Sequence, residues 1–389
     1  MATISRRDFI FNAAAKASSI ALAGSIVPSL TAAGGASMTS FLAIGNSVAG
    51  EKSGIHMFRI DNGSGAISTI GFTACERPSF TLASPDGKTL YAVGESAKFN
   101  GKPGGSVSAY AVGENGALTF MNAESSGGAG PCHLGFSANG KFIIASNYSG
   151  GSVGVLPLAS DGKVLAPSCV IQHSGKGPNP KRQTAPHCHS ATVFPDGIVA
   201  IADLGLDKIF LYRLTDDGTL TPHTAPFAEC APGAGVRWLA VHPKKRIVYS
   251  VNELNCTVDR YRYENASLAR VQTECTITET VTPDMSGASI RVSADGNFLY
   301  ASTRGHDSIA LFSLAADGAM TFISTTPSGG LWPRDFALSQ NGKILVAANQ
   351  KSDSISVFRR DEKSGALSAA GASASVAGAT SVLFFSRGE

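Results

Sequence analysis

Short apolar runs, each preceded by a turn of the same kind, recur along the chain. Six nine-residue segments share this pattern: Ala83–Tyr91, Phe136–Ile144, Val193–Ile201, Val241–Tyr249, Val292–Tyr300 and Leu338–Val346. Five of them contain Asp-Gly or Asn-Gly, which favour tight hairpin turns because glycine readily takes positive φ. The apolar run after each turn has the length and composition of a buried strand. Each segment therefore predicts a hairpin whose second strand is buried.

The spacing of these turns predicts a repeat architecture. Taking the fourth residue of each segment as a marker, successive markers stand 46 to 57 residues apart, at Asp86, Asn139, Asp196, Lys244, Asp295 and Asn341. A Ser-Val or Ser-Ile strand such as Ser106–Val107 usually follows, and a Gly-x-Leu or Gly-x-Met turn often closes the unit. Four short strands per unit of this length are typical of a β-propeller blade.

A seventh blade is predicted from the two ends of the repeat region. Residues 41–68 supply most of one unit, and the strand near Thr380–Phe385 has the character of the missing one. Pairing these segments closes the ring and removes free sheet edges. We therefore expect residues 38–389 to form one all-β, seven-bladed β-propeller with four-stranded antiparallel blades and no second domain.

Composition agrees with this fold and excludes one class of partner. The chain has 389 residues, 43% of them hydrophobic and 16% charged, with 43 glycines and a formal charge of +3. Residues 1–37 hold three basic residues and one acidic residue, so the remainder carries about +1. Binding to nucleic acid needs a basic face that neutralises phosphates. A nearly neutral body therefore argues against nucleic acid as a partner.

The N-terminal segment resembles a twin-arginine export signal. Ser5-Arg6-Arg7-Asp8-Phe9-Ile10 precedes a weakly apolar stretch from Ala17 to Ala33. That stretch contains glycine, proline and several serines, so it is a poor membrane span. We expect residues 1–37 to be a removable signal that meets the twin-arginine export machinery transiently. The mature protein would be periplasmic or otherwise exported, without a stable membrane span; the alternative is an amphipathic N-terminal helix.

Seven cysteines occur, and their spacing predicts neither a redox motif nor a zinc motif. No C-x-x-C is present, which argues against a zinc ribbon or a thioredoxin-like site. Proteins that use the twin-arginine route generally fold before export, in a reducing compartment. We therefore interpret the cysteines mostly as small buried apolar residues.

The repeat also predicts which side chains share one face of the disc. The strands before and after each marker form a hairpin, so the start of the first and the end of the second lie at the same end of the blade. Seven residues before the markers stand Ser79, Cys132, His189, Arg237, Ala288 and Arg334, and nine residues after them stand Glu95, Tyr148, Gly205, Glu253, Arg304 and Gln350. Several arginines with a histidine and a glutamate suit an anionic or strongly polar ligand. The alternative is a structural salt-bridge network that caps the channel.

The predicted group of polar side chains would form a funnel at one end of the channel. Three other sequence features lie near this funnel. His187 and His189 would lie on one side of an extended strand and, with Glu253, form a conceivable metal site. We favour a substrate-binding or orienting role for His187 and expect no metal. His133 follows Cys132 and is expected to reach the same funnel. Arg182 lies in a Gly/Pro-rich loop that is either a solvated connection or a lid.

The pattern Gly150–Gly154 matches the G-x-S-x-G nucleophile elbow but lacks its strand–turn–helix context. Ser152 also occupies the Ser-Val position that other repeats share. We therefore interpret this serine as structural.

Several of these segments resemble the lactonase-family propellers, which include bacterial 6-phosphogluconolactonase and fungal carboxy-cis,cis-muconate cyclase. The similar segments are Gly130–His133 with Ser146–Gly151, Arg182–Gln183 with Pro186–Ser190, Asp203–Asp207, Gly235–Arg237 with Val251–Leu254, Ser302–Ser308 and Trp332–Phe336. The resemblance covers six of the seven predicted blades. It implies the seven-bladed fold and a catalytic set of His189, Arg237, Glu253 and Arg304. One residue departs from the family pattern, since Trp238 stands where a histidine usually follows the arginine.

The activity that the resemblance implies is opening of a sugar-type lactone by water. Glu253 or His189 would act as general base, and Arg237 and Arg304 would stabilise the oxyanion or anchor an anionic group. We expect substrate contacts from a second set: His133, Tyr148, Arg182, His187 and Arg334. No cofactor is expected. The substrate would be a small lactone, anionic or polyhydroxylated.

The identity of the lactone is open at this point, and two alternative functions are open as well. The candidates are 6-phosphogluconolactone, which is cytoplasmic, and an unphosphorylated aldonolactone, which suits an exported protein better. The alternatives are a muconate-type lactone cycloisomerase and a non-catalytic propeller that binds a ligand or a protein. We also expect Glu253→Gln to leave the fold intact, because the channel mouth contributes little core packing.

Overall fold

Seven antiparallel sheets of four strands surround a central channel in the computed structural model, which describes residues 39–388. The innermost strand of each sheet contacts the innermost strands of the two neighbouring sheets, and these contacts continue around the whole ring. The seven-bladed β-propeller expected from the repeat is therefore confirmed.

The strands run outward from the channel in six of the blades, and blade 1 takes its innermost strand from the C-terminal end. Blade 1 contains β1 (Thr39–Asn46), β2 (Gly54–Asp61), β3 (Ile67–Ala74) and β30 (Ala379–Phe385). Blade 2 contains β4 (Thr81–Ala83), β5 (Thr89–Gly94), β8 (Ser106–Val112) and β9 (Leu118–Ser125), and the small hairpin β6 (Lys98–Phe99) and β7 (Lys102–Pro103) projects from it.

The other five blades follow in chain order. Blade 3 contains β10 (Pro131–Phe136), β11 (Phe142–Asn147), β12 (Ser152–Pro157) and β13 (Cys169–Gln172), and blade 4 contains β14 (Cys188–Val193), β15 (Ile198–Asp203), β16 (Lys208–Leu214) and β17 (Leu220–Glu229). Blade 5 contains β18 (Val236–Val241), β19 (Ile247–Asn252), β20 (Thr257–Glu264) and β21 (Ser267–Cys275). Blade 6 contains β22 (Ser286–Val292), β23 (Phe298–Arg304), β24 (Ser308–Leu314) and β25 (Met320–Pro327), and blade 7 contains β26 (Pro333–Leu338), β27 (Ile344–Asn349), β28 (Ser354–Arg360) and β29 (Leu367–Ser375).

The ring is closed by pairing of β30 with β1. Phe41 stands opposite Phe385, and Ile44 stands opposite Val382, in an antiparallel register. The expected pairing of the two chain ends is confirmed by these contacts. Closure leaves the innermost strand of every blade between two neighbours, so no inner edge is open.

Apolar residues fill the spaces between adjacent blades. Leu42 from blade 1 and Val346 from blade 7 are both fully buried in one such cluster, and similar clusters separate the other blades. These side chains come from the alternating positions of each strand, as expected for sheets that are covered on both faces. The packing makes the disc rigid around the channel.

A β-bulge interrupts the inner strand of several blades at the same position. In β18, Val236 pairs with Asn252 and Trp238 pairs with Val251, so Arg237 between them has no partner across the ladder. The equivalent unpaired residues of the other strands are Cys132, His189 and Arg334. A bulge changes the direction of a side chain and is common beside active sites. These positions are the ones that stand seven residues before the turn markers.

Two expectations concern the chain ends and the cysteines. The expected export signal, residues 1–37, lies outside the described residues. Within residues 39–388, no helix is long and apolar enough to cross a membrane.

All seven cysteines lie in the described part and are unpaired there. Four of them are buried, as expected, whereas Cys275 is exposed.

Candidate active site

A cavity of about 210 Å³ lies at the end of the channel where the bulges occur. It is lined by Glu95, Cys132, Tyr148, Arg182, His189, Arg237, Glu253, Arg304 and Arg334. Pockets for drug-sized ligands usually measure about 300–1,000 Å³. The cavity therefore suits a molecule about the size of a monosaccharide.

Glu253 is the centre of this site and binds three arginines. One carboxylate oxygen, Oε2, lies 2.9 Å from Arg237 Nε and 2.9 Å from Arg304 Nη2. The other, Oε1, accepts a hydrogen bond from Arg182. Glu253 directly follows β19, Arg304 ends β23, and Arg237 occupies the bulge of β18. Three separate parts of the chain therefore meet at one carboxylate.

The arginines keep Glu253 ionised. Burial alone would raise the pKa of this carboxyl, but the charges of Arg304 and Arg237 hold it well below its usual range. Both carboxylate oxygens are also occupied by guanidinium donors. A weakly basic, fully occupied carboxylate is a poor proton acceptor. The geometry therefore assigns Glu253 to holding the arginines, and leaves proton transfer to another group.

Positive charge exceeds negative charge around the cavity. Four arginines and two glutamates line it, which leaves two uncompensated positive charges. Arg334 Nη2 lies 4.0 Å from Glu95 Oε2, at the limit of an ion pair. Arg304 is 6% exposed, and its Nε has no hydrogen-bond partner among the described residues. A guanidinium donor that is buried without a partner costs free energy, unless a ligand oxygen accepts its hydrogen bond. The site therefore favours an anionic group or a developing oxyanion.

His189 is the one histidine that lines the cavity in the described part of the chain. Burial, and next the charge of Arg237, hold its pKa well below the ordinary value of 6.5. Its Nδ1 lies 3.8 Å from Cys132 Sγ, and its ring meets the edge of Tyr148 at a centroid distance of 5.4 Å. A neutral imidazole is able to accept a proton at neutral pH. His189 differs from Glu253 in position, because its ring lines the cavity whereas both carboxylate oxygens of Glu253 are occupied by arginines.

The loop that carries Arg182 is anchored over the cavity. Arg182 Nη2 donates to the Tyr148 hydroxyl at 3.1 Å as well as to Glu253. The neighbouring Gln183 is fully buried, and its side-chain amide donates to the carbonyl of Leu204 at 2.8 Å. These contacts make the loop part of the site rather than a solvated connection.

Comparison with known proteins identifies the family. The model of the lactonase seven-bladed β-propeller family matches residues 41–384. The chain belongs to this family.

Named proteins and solved structures are among the relatives of this lactonase-family protein. It is 34% identical to the 6-phosphogluconolactonase of Bacillus subtilis over 337 residues, which cover 85% of this chain and 94% of that protein. The structure of the periplasmic gluconolactonase of Pseudomonas aeruginosa is 29% identical, with a TM-score of 0.84, and the match covers 89% of this chain and 99% of that one. A structure from Bacteroides fragilis has a TM-score of 0.84 and 32% identity, over 90% and 98% of the two chains.

Two of the residues expected to contact substrate do not line the cavity of the lactonase-family protein. His133 stacks on Phe80 at 4.3 Å and meets the edge of Trp238 at 5.0 Å. It follows the bulged residue Cys132, and successive residues of a strand point in different directions. His187 stacks on Tyr148 at 4.4 Å, and its Nδ1 donates to the Tyr148 carbonyl at 2.9 Å. Both histidines therefore lie beside the cavity rather than in its wall.

Three rings, which we call the aromatic plug, contact one another beside the bulged strands: Phe80, His133 and Trp238. The Phe80 and Trp238 rings are 5.6 Å apart, and the Arg291 guanidinium lies 4.0 Å from the Trp238 ring. Arg291 is held in turn by Asp335 at 3.0 Å. Trp238, the residue that departs from the family pattern, therefore belongs to the plug and not to the cavity wall.

The conceivable metal group of His187, His189 and Glu253 does not assemble in residues 39–388. The described chain does contain a buried group of His173, Cys188 and Asp203 behind the cavity. His173 Nδ1 lies 2.7 Å from Asp203 Oδ2, and its Nε2 lies 2.9 Å from the Tyr212 hydroxyl. These hydrogen bonds already use both ring nitrogens of His173. The group is therefore well explained as a hydrogen-bonded network.

Cys132 and Glu95 are the two cavity residues for which the sequence predicted no chemical role. The count of seven residues before the marker already placed Cys132 beside His189 and Arg237 on the same face. The general expectation that cysteines are buried apolar residues concealed that signal.

Proposed function

We propose that this protein hydrolyses a small sugar-derived lactone to the corresponding hydroxy acid. The observation that carries the proposal is a monosaccharide-sized cavity that combines a neutral histidine with four arginines and an unpaired buried Arg304 Nε. Attack on a lactone carbonyl needs a proton acceptor and stabilisation of an oxyanion, and the cavity contains groups suited to both. The names of the Bacillus subtilis and Pseudomonas aeruginosa relatives support the same reaction.

Each of the main cavity residues has a different role in the reaction. His189 accepts the proton of the attacking group and returns a proton to the ring oxygen when the C–O bond breaks. Arg237 and Arg304 stabilise the negative charge that develops on the carbonyl oxygen. Glu253 orients these two guanidinium groups through the contacts at 2.9 Å. Water is the final acceptor of the acyl group, and no cofactor enters the scheme.

The remaining polar residues of the cavity bind the rest of the substrate. Arg182 and Tyr148 are joined by a hydrogen bond at one side of the cavity, and Arg334 stands near Glu95. Glu95 Oε2 is buried and has no hydrogen-bond partner in the described chain. An unpaired acceptor of this kind suits a sugar hydroxyl, which donates a hydrogen bond. These four residues therefore fit a polyhydroxylated ring.

Within this class we propose an unphosphorylated aldonolactone as the substrate. The small volume of the cavity and the likeness to a periplasmic gluconolactonase support this choice. An exported protein would also meet such lactones as products of sugar oxidation outside the cytoplasm. A phosphorylated lactone is the competing substrate.

The experiment is a hydrolysis assay on the purified protein without residues 1–37. Glucono-1,5-lactone and its 6-phosphate would be compared, with the enzyme-free rate subtracted. His189→Asn tests the site, and His56→Asn on β2 of the distant blade 1 is the matched control. We expect a higher kcat/KM for the unphosphorylated lactone and a loss of about 10²–10⁴-fold in His189→Asn only. A preference for the phosphate ester would contradict the substrate, and absence of hydrolysis of any lactone would contradict the function.

A further inference from the structure

The side chain of Cys132 is placed where a nucleophile would attack. It occupies the bulge of β10, lines the cavity, and stands next to His189, which occupies the equivalent bulge of the neighbouring blade. Its Sγ lies 3.8 Å from His189 Nδ1 and 3.4 Å from the His189 carbonyl oxygen. No other cysteine within residues 39–388 lines this cavity.

A second observation concerns an arginine that lines the same cavity as this thiol. Arg304 is nearly buried, lines the same cavity and has an unpaired Nε. Burial and the charge of Glu95 raise the pKa of the Cys132 thiol, whereas the charges of Arg237 and Arg334 lower it. An unpaired guanidinium donor on a residue that lines the cavity fits the oxyanion of a tetrahedral intermediate. A thiol and an oxyanion site on one cavity wall are the two parts of an acyl-transfer centre.

The protonation states of the pair fit base-assisted attack. Burial raises the pKa of the Cys132 thiol, so the thiol is protonated at rest. Burial and the charge of Arg237 lower the pKa of His189, so the imidazole is neutral at rest. A weak nucleophile beside a general base is activated in this way in Ser–His and Cys–His enzymes. The separation of 3.8 Å is loose, as such contacts often are without substrate.

We propose that Cys132 is the nucleophile of the lactone hydrolysis, so that the reaction passes through a thioester with the enzyme. This inference rests on the proposed function. In the first step the Cys132 sulfur bonds to the lactone carbonyl carbon while its proton passes to His189. The ring C–O bond then breaks, and the ring oxygen takes that proton from His189 and leaves as a hydroxyl of the tethered chain.

The second step returns the enzyme to its starting state. A water molecule adds to the thioester carbonyl and gives its proton to His189. The C–S bond breaks, and the sulfur takes the proton back to become a thiol. The two steps together convert one lactone and one water into one hydroxy acid, without an oxidant or a reductant. Arg237 and Arg304 serve the oxyanions of both steps.

The direct test is to trap the intermediate. A lactone loses no atoms when its ring opens on sulfur, so the enzyme would gain the mass of the whole substrate. Purified enzyme would be mixed with excess glucono-1,5-lactone, quenched with acid within one turnover and analysed as intact protein and as peptides. We expect the full-mass adduct on the peptide that contains Cys132, and its removal by brief treatment with mild base.

Variants give an independent measurement. Cys132→Ser preserves the size and the hydrogen bonding of the residue, whereas Cys132→Ala removes the nucleophile. Cys169→Ala, on the outermost strand of the same blade, is the matched control. We expect kcat to fall by at least about 100-fold in both Cys132 variants and to stay unchanged in the control. Thermal melting would be recorded for each, and Cys132→Ser is decisive if Cys132→Ala does not fold.

The outcomes separate this inference from the proposed function. A wild-type enzyme that hydrolyses lactones, together with an active Cys132→Ser variant and no adduct, would overturn the inference and leave direct attack by water. A wild-type enzyme that hydrolyses no lactone would contradict the proposed function itself. An adduct on another cysteine would also overturn the assignment.

Discussion

Replacing Glu253 by glutamine is the sharpest test of the site, because one carboxylate holds three arginines. Glu253 and its partners Arg237 and Arg304 are 4%, 3% and 6% exposed. Glutamine keeps the shape, but it offers a single acceptor oxygen to the guanidinium groups and directs its own amide donors at them. Glu253→Gln therefore leaves buried positive charges without a partner.

The expected loss of stability follows from these burials. Breaking a buried ion pair costs roughly 3–5 kcal/mol, whereas an exposed pair contributes about 0–1 kcal/mol, so the half-exposed Arg182 adds little. With an unfolding entropy of about 2.1 cal/mol/K per residue, the loss corresponds to a fall in melting temperature of about 4–7 °C for some 350 residues. The sequence led us to expect that folding survives this substitution. The structure adds a cost in stability, because Glu253 lies in a buried ion cluster.

Turnover is expected to fall as well, since displaced arginines no longer meet the oxyanion. Removal of one oxyanion donor usually costs about 10²–10³-fold in kcat. The assay is lactone hydrolysis with calorimetric melting of the same samples, and Arg182→Gln is the control that should leave the melting temperature within about 1–2 °C of wild type. Unchanged melting and unchanged turnover in Glu253→Gln would refute the reasoning. A lower melting temperature with full turnover would show that the cluster serves only the fold.

Three further predictions use the same protein. Arg304→Lys keeps the charge but lacks the planar fork that reaches Glu253 and the Gly287 carbonyl, so kcat should fall about 10-fold or more in a hydrolysis assay; wild-type kcat would contradict this. Because the pKa of His189 lies well below 6.5, kcat/KM should stay constant as the pH falls from 8 through about 6.5, and a loss with its midpoint there would contradict a neutral, buried base. Replacement of Arg6 and Arg7 by lysine should trap the precursor in the cytoplasm in a fractionation experiment, and normal export would refute the twin-arginine assignment.

The fold was predictable because a propeller repeats one local unit. The turn residues and the apolar runs predicted the hairpins, and the spacing between markers predicted the size of each blade. The closure of the ring by the strand near Phe385 followed from the need to pair the edges of the first blade. Each of these inferences depends on neighbouring residues or on a regular period, which a single sequence displays.

The face of the disc was predictable, but the detailed contacts were not. Counting from the markers placed His189, Arg237, Glu253 and Arg304 together, and the cavity contains all four. The bulges that direct the first two of these residues produce no recognisable pattern in the sequence. The approach of Arg182 to Glu253 spans 71 residues and depends on a folded loop. For the same reason the aromatic plug of Phe80, His133 and Trp238 was not foreseen, because its members come from three different blades.

The order of synthesis gives the closing strand a special importance. Residues 379–385 emerge from the ribosome after the other six blades, yet they form the innermost strand of the first blade. Until they arrive, the nascent chain has six blades and an incomplete first sheet with an unprotected inner edge, the kind of surface on which chains misassemble. Any chain that stops before Ala379 lacks this strand and keeps the gap. Closure of the disc therefore depends on a strand that follows every other strand of the propeller in the chain.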